Sequence, residues 1–110
     1  MKKQFIAITS TTGLTFINRS DVMYCLSDGS YTHIYLADGR KLTVSKNLKD
    51  VTASLNDDHF FRIHHSHLIN IDCAHSFING TQNCVRMYNG EELPVARNRK
   101  KAFLELFTRL

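Results

Sequence analysis

Apolar and polar residues alternate along most of this chain, in short runs that end at glycine-containing turn signals. All five glycines belong to such signals, which are Thr12-Gly13, Asp28-Gly29, Asp38-Gly39, Asn79-Gly80 and Asn89-Gly90. A period of two places successive side chains on opposite faces of a strand, and a glycine between two such runs favours a tight hairpin. The pattern therefore predicts a mainly β chain built from antiparallel hairpins. At Asp38-Gly39 we expect a two-residue turn with positive φ at both residues.

The alternating runs predict strands at residues 5–8, 14–17, 22–26, 31–36, 40–44, 60–64, 73–78 and 84–88, with a last strand reaching 95. Pro94 suggests that this last strand lies at an edge, because proline cannot donate to a ladder. A short helix is expected from Lys46 to about Leu55, capped by Ser45. Its apolar face would hold Leu48, Val51 and Leu55.

Two further helical segments are expected towards the C-terminus. Ser66 is predicted to cap a brief helical turn through residues 68–70. Asn98 is predicted to cap a final helix. The side chains that this helix would bury are Phe103, Leu106, Phe107 and Leu110.

The composition is that of an ordinary globular protein, with 43% hydrophobic and 22% charged residues. A length of 110 residues allows one core, so we expect a single domain over residues 1–110. No apolar run approaches a membrane span of about 20 residues, and a cytoplasmic location is expected. Cys25, Cys73 and Cys84 are odd in number and lack a CxxC pair, which favours reduced, buried thiols. The spacing of a structural zinc finger is also missing, so we expect neither a metal nor a cofactor.

The excess positive charge lies in the C-terminal segment. Residues 97–110 contain five basic residues and one acidic residue, a net charge of +4. The whole chain also carries +4, so residues 1–96 are neutral overall. One basic patch on a neutral domain is the pattern expected of a polyanion-binding protein, although a solvated helix end would give the same composition.

The expected final helix begins with Arg99, Lys100 and Lys101, where the helix macrodipole disfavours cations. A phosphate at that end would turn this repulsion into attraction, since free amides and basic side chains would both face the anion. Salt screening, which would make the cost negligible, is the alternative. Arg97 lies just before this helix, and its planar fork suits the major-groove edge of guanine.

His64, His65 and His67 form the densest histidine cluster. In an extended segment His64 would oppose the other two, so the three rings could not easily converge on one metal ion. We expect His64 to be structural and His65 to contact a ligand. Zinc binding or pH sensing by the cluster is the other hypothesis.

Catalysis has little support in the sequence. It contains no Gly-rich phosphate loop, no GxSxG and no HExxH. The acid pairs Asp57-Asp58 and Glu91-Glu92 lie at expected turns, where solvated loop charge explains them. We therefore expect a binding protein rather than an enzyme.

Four ordered motifs resemble one known family. They are VMYCLSDGSY at 22–31, SKNL at 45–48, FFRIHHSHLIN at 60–70 and LPVARNRKK at 93–101. Together they resemble the LytTR output domain of bacterial response regulators, with a match from roughly Phe5 to Phe107. The resemblance implies an elongated, mainly β arrangement of antiparallel sheets with two short helices. It also implies DNA binding by loops, rather than by a recognition helix, in the major groove.

Residue by residue, the resemblance places DNA contacts on three loops. The first would hold Ser30, Tyr31 and His33, the second His65, and the third Arg97, with Asn98 and Lys100 near phosphates. Lys46 is a further candidate for the DNA backbone. His65 stands where arginine or lysine is common, and Asn98 replaces a frequent second arginine, so the DNA sequence preference does not follow from the resemblance.

Our hypothesis is a sequence-specific double-stranded DNA-binding domain of a transcription regulator, in which two copies bind direct repeats in promoters. We expect a monomer or weak dimer. The chain would be either an output domain excised from a two-component regulator, with a receiver domain or sensor kinase in the full-length system, or a stand-alone regulator. The alternative is a protein-interaction module whose basic C-terminal end docks an acidic partner.

Overall fold

The structure is a computed structural model that describes residues 4–110. Within this range it contains two α-helices, α1 (Leu48–Leu55) and α2 (Lys100–Leu104). The ten strands are β1 (Phe5–Ser10), β2 (Gly13–Asn18), β3 (Val22–Asp28), β4 (Tyr31–Leu36), β5 (Lys41–Val44), β6 (Phe60–His64), β7 (His67–Asn70), β8 (Ala74–Ile78), β9 (Cys84–Met87) and β10 (Glu92–Pro94). The molecule measures 46 × 30 × 23 Å, which confirms the elongated shape.

The strands form three sheets in which every pair is antiparallel. A central five-stranded sheet has the order β5-β4-β3-β7-β6. The β1-β2 hairpin and the three-stranded sheet β10-β9-β8 are separate from it. The predicted fold class, mainly β with antiparallel sheets and two short helices, is confirmed.

The central sheet is covered on both faces. Cys25 and Leu68 belong to a first core, formed with α1 and the β1-β2 hairpin. Their sequence neighbours Tyr24 and Ile69 belong to a second core, formed with β9, β10 and Phe103 of α2. Because successive side chains of a strand point to opposite faces, β3 and β7 hold the two cores together.

This double burial explains why the sequence pattern of β7 does not predict a strand. The helical turn expected after Ser66 is a strand, His67–Asn70, in which Leu68 and Ile69 are fully buried. A strand buried on both faces reads as a continuous apolar run and loses the alternation that identifies it. The side chain of Asn70, also buried, donates a hydrogen bond to the Val22 carbonyl (2.9 Å) and completes the pairing of β7 with β3.

The hairpin between β4 and β5 differs from the expected two-residue turn. Gly39 has a φ of 93°, whereas Asp38 does not have a positive φ. The Gly39 amide donates to the Leu36 carbonyl (3.0 Å) and the Leu36 amide to the Arg40 carbonyl (2.9 Å). This is the three-residue connection in which the last residue must be left-handed, so only Gly39 requires the conformational freedom of glycine.

Helix α1 begins two residues later than predicted. Its cap is Asn47, whose side chain accepts a hydrogen bond from the Asp50 amide (2.9 Å), and not Ser45. The predicted apolar face is confirmed, since Leu48, Val51 and Leu55 are all buried. Burying each such side chain stabilises the fold by about 1.5–3 kcal/mol, which fixes α1 on the first core.

The C-terminal helix is shorter than predicted. Of the apolar residues expected to be buried, only Phe103 is, while Leu106, Phe107 and Leu110 are 49%, 42% and 120% exposed. Asn98 does not cap the helix. Arg97–Arg99 form a 3-10 turn ahead of α2, and neither segment has a side-chain cap.

Candidate nucleic-acid interface

Strand register brings three loops to one end of the central sheet. The first loop, residues 28–31, joins β3 to β4, and the second loop, residues 64–67, joins β6 to β7. The Ser27 amide donates to the Ser66 carbonyl (2.9 Å), so the two loops are neighbours. The third loop, residues 96–99, is tied to β6 because the Ala96 amide donates to the Ile63 carbonyl (2.8 Å). We call this region the loop end.

In the first loop, Gly29 and Ser30 lie between the paired residues Asp28 and Tyr31. Ser30 is exposed and the Tyr31 side chain is 51% exposed, so both can contact a ligand. His33 lies behind the loop and uses both ring nitrogens internally. Its Nδ1 is 2.8 Å from Thr43 Oγ1 and its Nε2 is 2.8 Å from Asp28 Oδ2. These contacts brace the loop against β5.

Lys46 also lies at the loop end, beside the first loop. The hydroxyl of the fully buried Thr32 donates to the Lys46 carbonyl (2.7 Å) and fixes the backbone between β5 and α1. The Lys46 side chain itself is exposed. Its ammonium group is therefore free to reach a phosphate beside the first loop.

The second loop is held from within by Arg62. Its Nε donates to the His64 carbonyl (3.1 Å), and its Nη2 donates to the His65 carbonyl. The Ser66 amide donates to His64 Nδ1 (3.1 Å), so the His64 imidazole acts as an acceptor and is structural, as expected. His65 is exposed, and its ring packs against that of His64 with the centres 4.2 Å apart and the planes tilted by 32°.

Burial makes the other two histidines of the second loop poor carriers of charge. Desolvation, followed by the proximity of His65 and Arg62, lowers the pKa of His64. Desolvation and the neighbouring His64 and His65 lower the pKa of His67 to about 4. The Nδ1 atoms of His64 and His67 are 3.4 Å apart, yet no group of three or more metal-ligating side chains converges anywhere in residues 4–110.

The third loop is fastened by Arg99 and exposes Arg97. Arg99 Nε donates to the Arg62 carbonyl (2.9 Å), and its guanidinium lies 4.8 Å from the centre of the Phe61 ring. The side chains of Arg97 and Asn98 are exposed. Within residues 4–110, the side chain of Arg97 makes no hydrogen bond or ion pair, so its five donors can turn towards a ligand.

The Lys100 side chain lies against the three-stranded sheet. Its Nζ is 3.4 Å from Asn79 Oδ1 and 5.6 Å from the centre of the Phe77 ring. The five basic residues of segment 97–110 therefore have different surroundings. Arg97, Lys101 and Arg109 are exposed, Arg99 is structural and Lys100 is half-buried.

Sequence reasoning identified six candidates, Ser30, Tyr31, Lys46, His65, Arg97 and Asn98, that the structure places at the loop end with exposed side chains. It missed Arg62, which shapes the second loop, and Thr32, which fixes Lys46. The sequence contains a signal for Arg62, because a charged residue between Phe61 and Ile63 interrupts an apolar run. Such a residue needs internal partners if it is to be partly buried.

The chain was compared with known proteins. Residues 12–108 match the family model of the LytTr DNA-binding domain. A solved structure, the LytTr DNA-binding domain of a Bacillus cereus protein described as a methyl-accepting/DNA response regulator, is similar with a TM-score of 0.80. The two sequences are 23% identical over 96% of this chain and 97% of the other, a level that establishes the shared fold. Comparison with curated proteins gave no match.

No helix within residues 4–110 has the length and apolar character needed to cross a membrane. The family match covers most of the chain and includes all three loops. The chain belongs to the LytTR family of DNA-binding domains.

Proposed function

We propose that this protein binds double-stranded DNA sequence-specifically through the three loops, which enter or flank one major groove. It would serve as the output domain of a transcription regulator of the two-component response-regulator type, in the bacterial cytoplasm. Membership of a DNA-binding family supports the general function. The observation that carries the finer proposal is the convergence of the three loops at the loop end, joined by backbone hydrogen bonds.

The spacing of the first two loops fits a groove. In the order β5-β4-β3-β7-β6, the first loop spans β4 and β3 and the second spans β7 and β6, so their centres are two strand spacings apart. At about 4.8 Å per spacing, this distance is roughly 10 Å. The major groove of B-form DNA is about 12 Å wide, so both loops can reach into one groove.

The proposed roles follow from exposure and chemistry. Arg97 would read a base edge with two hydrogen bonds, because its guanidinium is exposed on the third loop. Tyr31 and His65 would assist from the first and second loops. Phosphate contacts would come from three further exposed residues of the loop end, Ser30, Lys46 and Asn98.

Lys100 and His33 have weaker geometric support. Lys100 would reach a phosphate only by leaving Asn79, a change that its long 3.4 Å contact permits. His33 would act chiefly by holding Asp28 and the first loop in place. Of the predicted contacts, these two are therefore expected to contribute least to DNA affinity.

Selection of bound DNA from a random pool tests the proposal. We expect enrichment of a defined motif, with affinity for it falling steeply between about 50 and 200 mM salt. The lack of an enriched motif, together with recovery of an acidic protein partner, would favour the protein-interaction alternative. A flat salt response would remove the electrostatic argument.

The same selection tests how many copies bind. If two copies act on direct repeats, the motif should recur in the same orientation, with its repeats about one helical turn, roughly 10–10.5 base pairs, or a multiple of it apart. A single unrepeated motif would contradict this part of the proposal.

A further inference from the structure

A groove of about 410 Å³ lies between β1 on one side and β5 with α1 on the other. Val22, Cys25 and Ile34 of the central sheet form part of its apolar lining. Four successive residues of β1, 6–9, line the groove, whereas no residue of β2 does within the described range. It therefore runs along the edge of β1 that faces away from β2, over a length of about 13 Å. We call it the edge groove.

The backbone of β1 is unpaired on the side of the edge groove. Within residues 4–110, β1 pairs only with β2. The Arg19 amide donates to the Gln4 carbonyl (2.8 Å), so these two residues form a hydrogen-bonded pair. Because such pairs alternate with non-bonded pairs along an antiparallel ladder, the even-numbered residues of β1 bond to β2. The N–H and C=O groups of Ala7 and Thr9 therefore point into the edge groove.

This edge also lacks the residues that commonly keep a strand edge unpaired. Residues 4–18 contain no charged residue and no proline. By contrast, Lys41 lies in the edge strand β5 and Pro94 in the edge strand β10. An edge without such protection is a template for pairing with another chain. An extended peptide that joined β1 would satisfy the amides and carbonyls that face the groove.

The lining of the edge groove indicates which side chains this peptide would carry. Apolar side chains, including Ile8, Val51 and Leu55, form most of it. Lys46 is its one charged lining residue in the described range, and the Lys46 side chain is exposed. Alternate side chains of a strand point to the same face, so apolar residues at every second position would cover the floor. An acid at the end of the peptide would complement Lys46.

We propose that the edge groove binds an extended apolar segment of a partner protein, flanked by an acid, which adds to β1 as a further strand. Its backbone would pair with Ala7 and Thr9, and its carboxylate would contact Lys46. A second copy of the chain is a poorer occupant, because its β1 is joined to β2 and packed on its own core. Strand addition of this kind does not require DNA.

NMR titration of the isotope-labelled protein with the peptide acetyl-EVTVTVE-amide tests the site. The peptide has an acid at each end, so either strand direction brings one acid to Lys46. A short peptide on an open edge should bind with a Kd of the order of 1 mM. We expect the largest shifts at the amides of residues 6–9 and of α1. Shifts centred on the loop end, or the absence of shifts at about 10 mM peptide, would overturn the proposal.

Backbone-methylated peptides separate strand pairing from apolar contact. Methylating either set of alternate amide nitrogens removes the donors from one edge of the peptide and leaves its side chains unchanged. At least one of the two methylated peptides should bind about fivefold or more weakly than the parent peptide, because its hydrogen bonds to β1 are lost. Equal binding of the parent and both methylated peptides would rule out strand addition.

A proline variant tests the same pairing from the side of the protein. Ala7→Pro removes an amide that faces the edge groove and spares the ladder with β2, so peptide affinity should fall at least about threefold. Ala7→Ser is the matched control, because it keeps the amide and its side chain lies on the exposed face of the hairpin. Thermal melting followed by circular dichroism verifies that both variants fold. If both are folded and bind the peptide equally, β1 is not the pairing strand.

The charged contact is assigned with the neutral peptide acetyl-QVTVTVQ-amide. It should bind the wild type about two- to fivefold more weakly than the acidic peptide, and Lys46→Gln should abolish this difference. Lys49→Gln is the control, because Lys49 is an exposed lysine of α1 that does not line the edge groove. An equal reduction of the difference in both variants would show that general charge, and not Lys46, attracts the acid.

Sedimentation of the free protein distinguishes a partner segment from a second copy. We expect no concentration-dependent association that depends on β1. Dimerisation of the wild type that Ala7→Pro abolished would identify a second copy as the occupant, and it would overturn the assignment to a partner protein.

Discussion

The second and third loops lie side by side but are built in opposite ways. The second loop is shaped by side chains beneath it, because Arg62 donates to two of its carbonyls and His64 accepts from the Ser66 amide. The third loop is fastened only near its ends, at Ala96 and Arg99, and it leaves Arg97 exposed. One loop thus uses an arginine to fix its own backbone, whereas the other presents an arginine to solvent.

This difference shows that basic residues of the same type have separate tasks. Desolvation by burial, followed by the charge of Arg99, lowers the pKa of Arg62. The guanidinium groups of Arg62 and Arg99 are thus close together. Their repulsion is offset by the hydrogen bonds that both side chains donate to backbone carbonyls. A DNA phosphate nearby would relieve the same repulsion, so the structural arginines also favour an anion at the loop end.

The largest expected effect comes from removing the arginine beneath the second loop. Arg62→Ala should lower the free energy of unfolding by about 2–4 kcal/mol, because two hydrogen bonds from a charged donor are lost and two carbonyls lose their partners. Urea denaturation followed by circular dichroism measures this change. Arg97→Ala serves as the control and should remain within about 0.5 kcal/mol of the wild type. A similar, small change in both variants would show that Arg62 does not hold the loop.

Arg97, the exposed arginine of the third loop, should matter for DNA binding and not for stability. Arg97→Ala should cost about 1–3 kcal/mol of binding energy on the selected motif and less on random DNA, as expected for a base contact. Fluorescence anisotropy on both DNAs measures the difference. Arg40→Ala is the matched control, because Arg40 is exposed at the opposite end of the sheet, where it pairs with Asp38. Equal losses on both DNAs would assign Arg97 to a phosphate instead.

The contrast between the two loops also marks the limit of sequence reasoning. Periodicity and turn residues, which are local properties of the sequence, predict the hairpins of β1-β2 and β8-β9-β10 and the apolar face of α1. Asn98 failed as a cap because Ala96 and Arg99 are tied to β6, and this tertiary constraint places Asn98 inside a 3-10 turn. The task of Arg62 could not be predicted, since it depends on where two carbonyls lie after folding.

The candidate site shows the same limit. Positions such as Tyr31 and Arg97 were proposed from their place in the motifs, and the structure finds them exposed at the loop end. The family resemblance also implies DNA contacts at Lys100 and His33, yet their polar atoms have partners within the fold. Sequence indicates which residues can carry the chemistry, but only tertiary contacts show which of them are already engaged.

A smaller effect on stability is expected at acidic pH, from His67 at the base of the second loop. The pKa of His67 falls from 6.5 to about 4 in the fold, chiefly through burial. The unfolded chain therefore binds the proton first as the pH falls below 6.5, and stability should decrease from there to about pH 4. Because the ring is only partly buried, we expect a loss of roughly 1–2 kcal/mol.

Denaturation curves at several pH values measure this loss, and His67→Gln should remove part of it. His64 contributes in the same direction, since its pKa is also lowered, so the difference between wild type and variant isolates His67. An identical pH dependence in the two proteins would contradict the assignment.

The smallest effect should come from His65, where backbone and side chain have different tasks. Arg62 donates a hydrogen bond to the backbone carbonyl of His65, and any residue at this position has that carbonyl. His65→Ala should therefore leave the free energy of unfolding within about 0.5 kcal/mol of the wild type. Its exposed ring is the part available to DNA, and the same variant should lose about 0.5–1 kcal/mol of binding energy on the selected motif. His59→Ala is the control, because His59 is an exposed histidine paired with Asp72 at the far end of β6. A large loss of stability in His65→Ala would mean that its ring, which packs against His64, supports the second loop as Arg62 does. The separation between residues that shape the loop and side chains that contact DNA would then fail at this position.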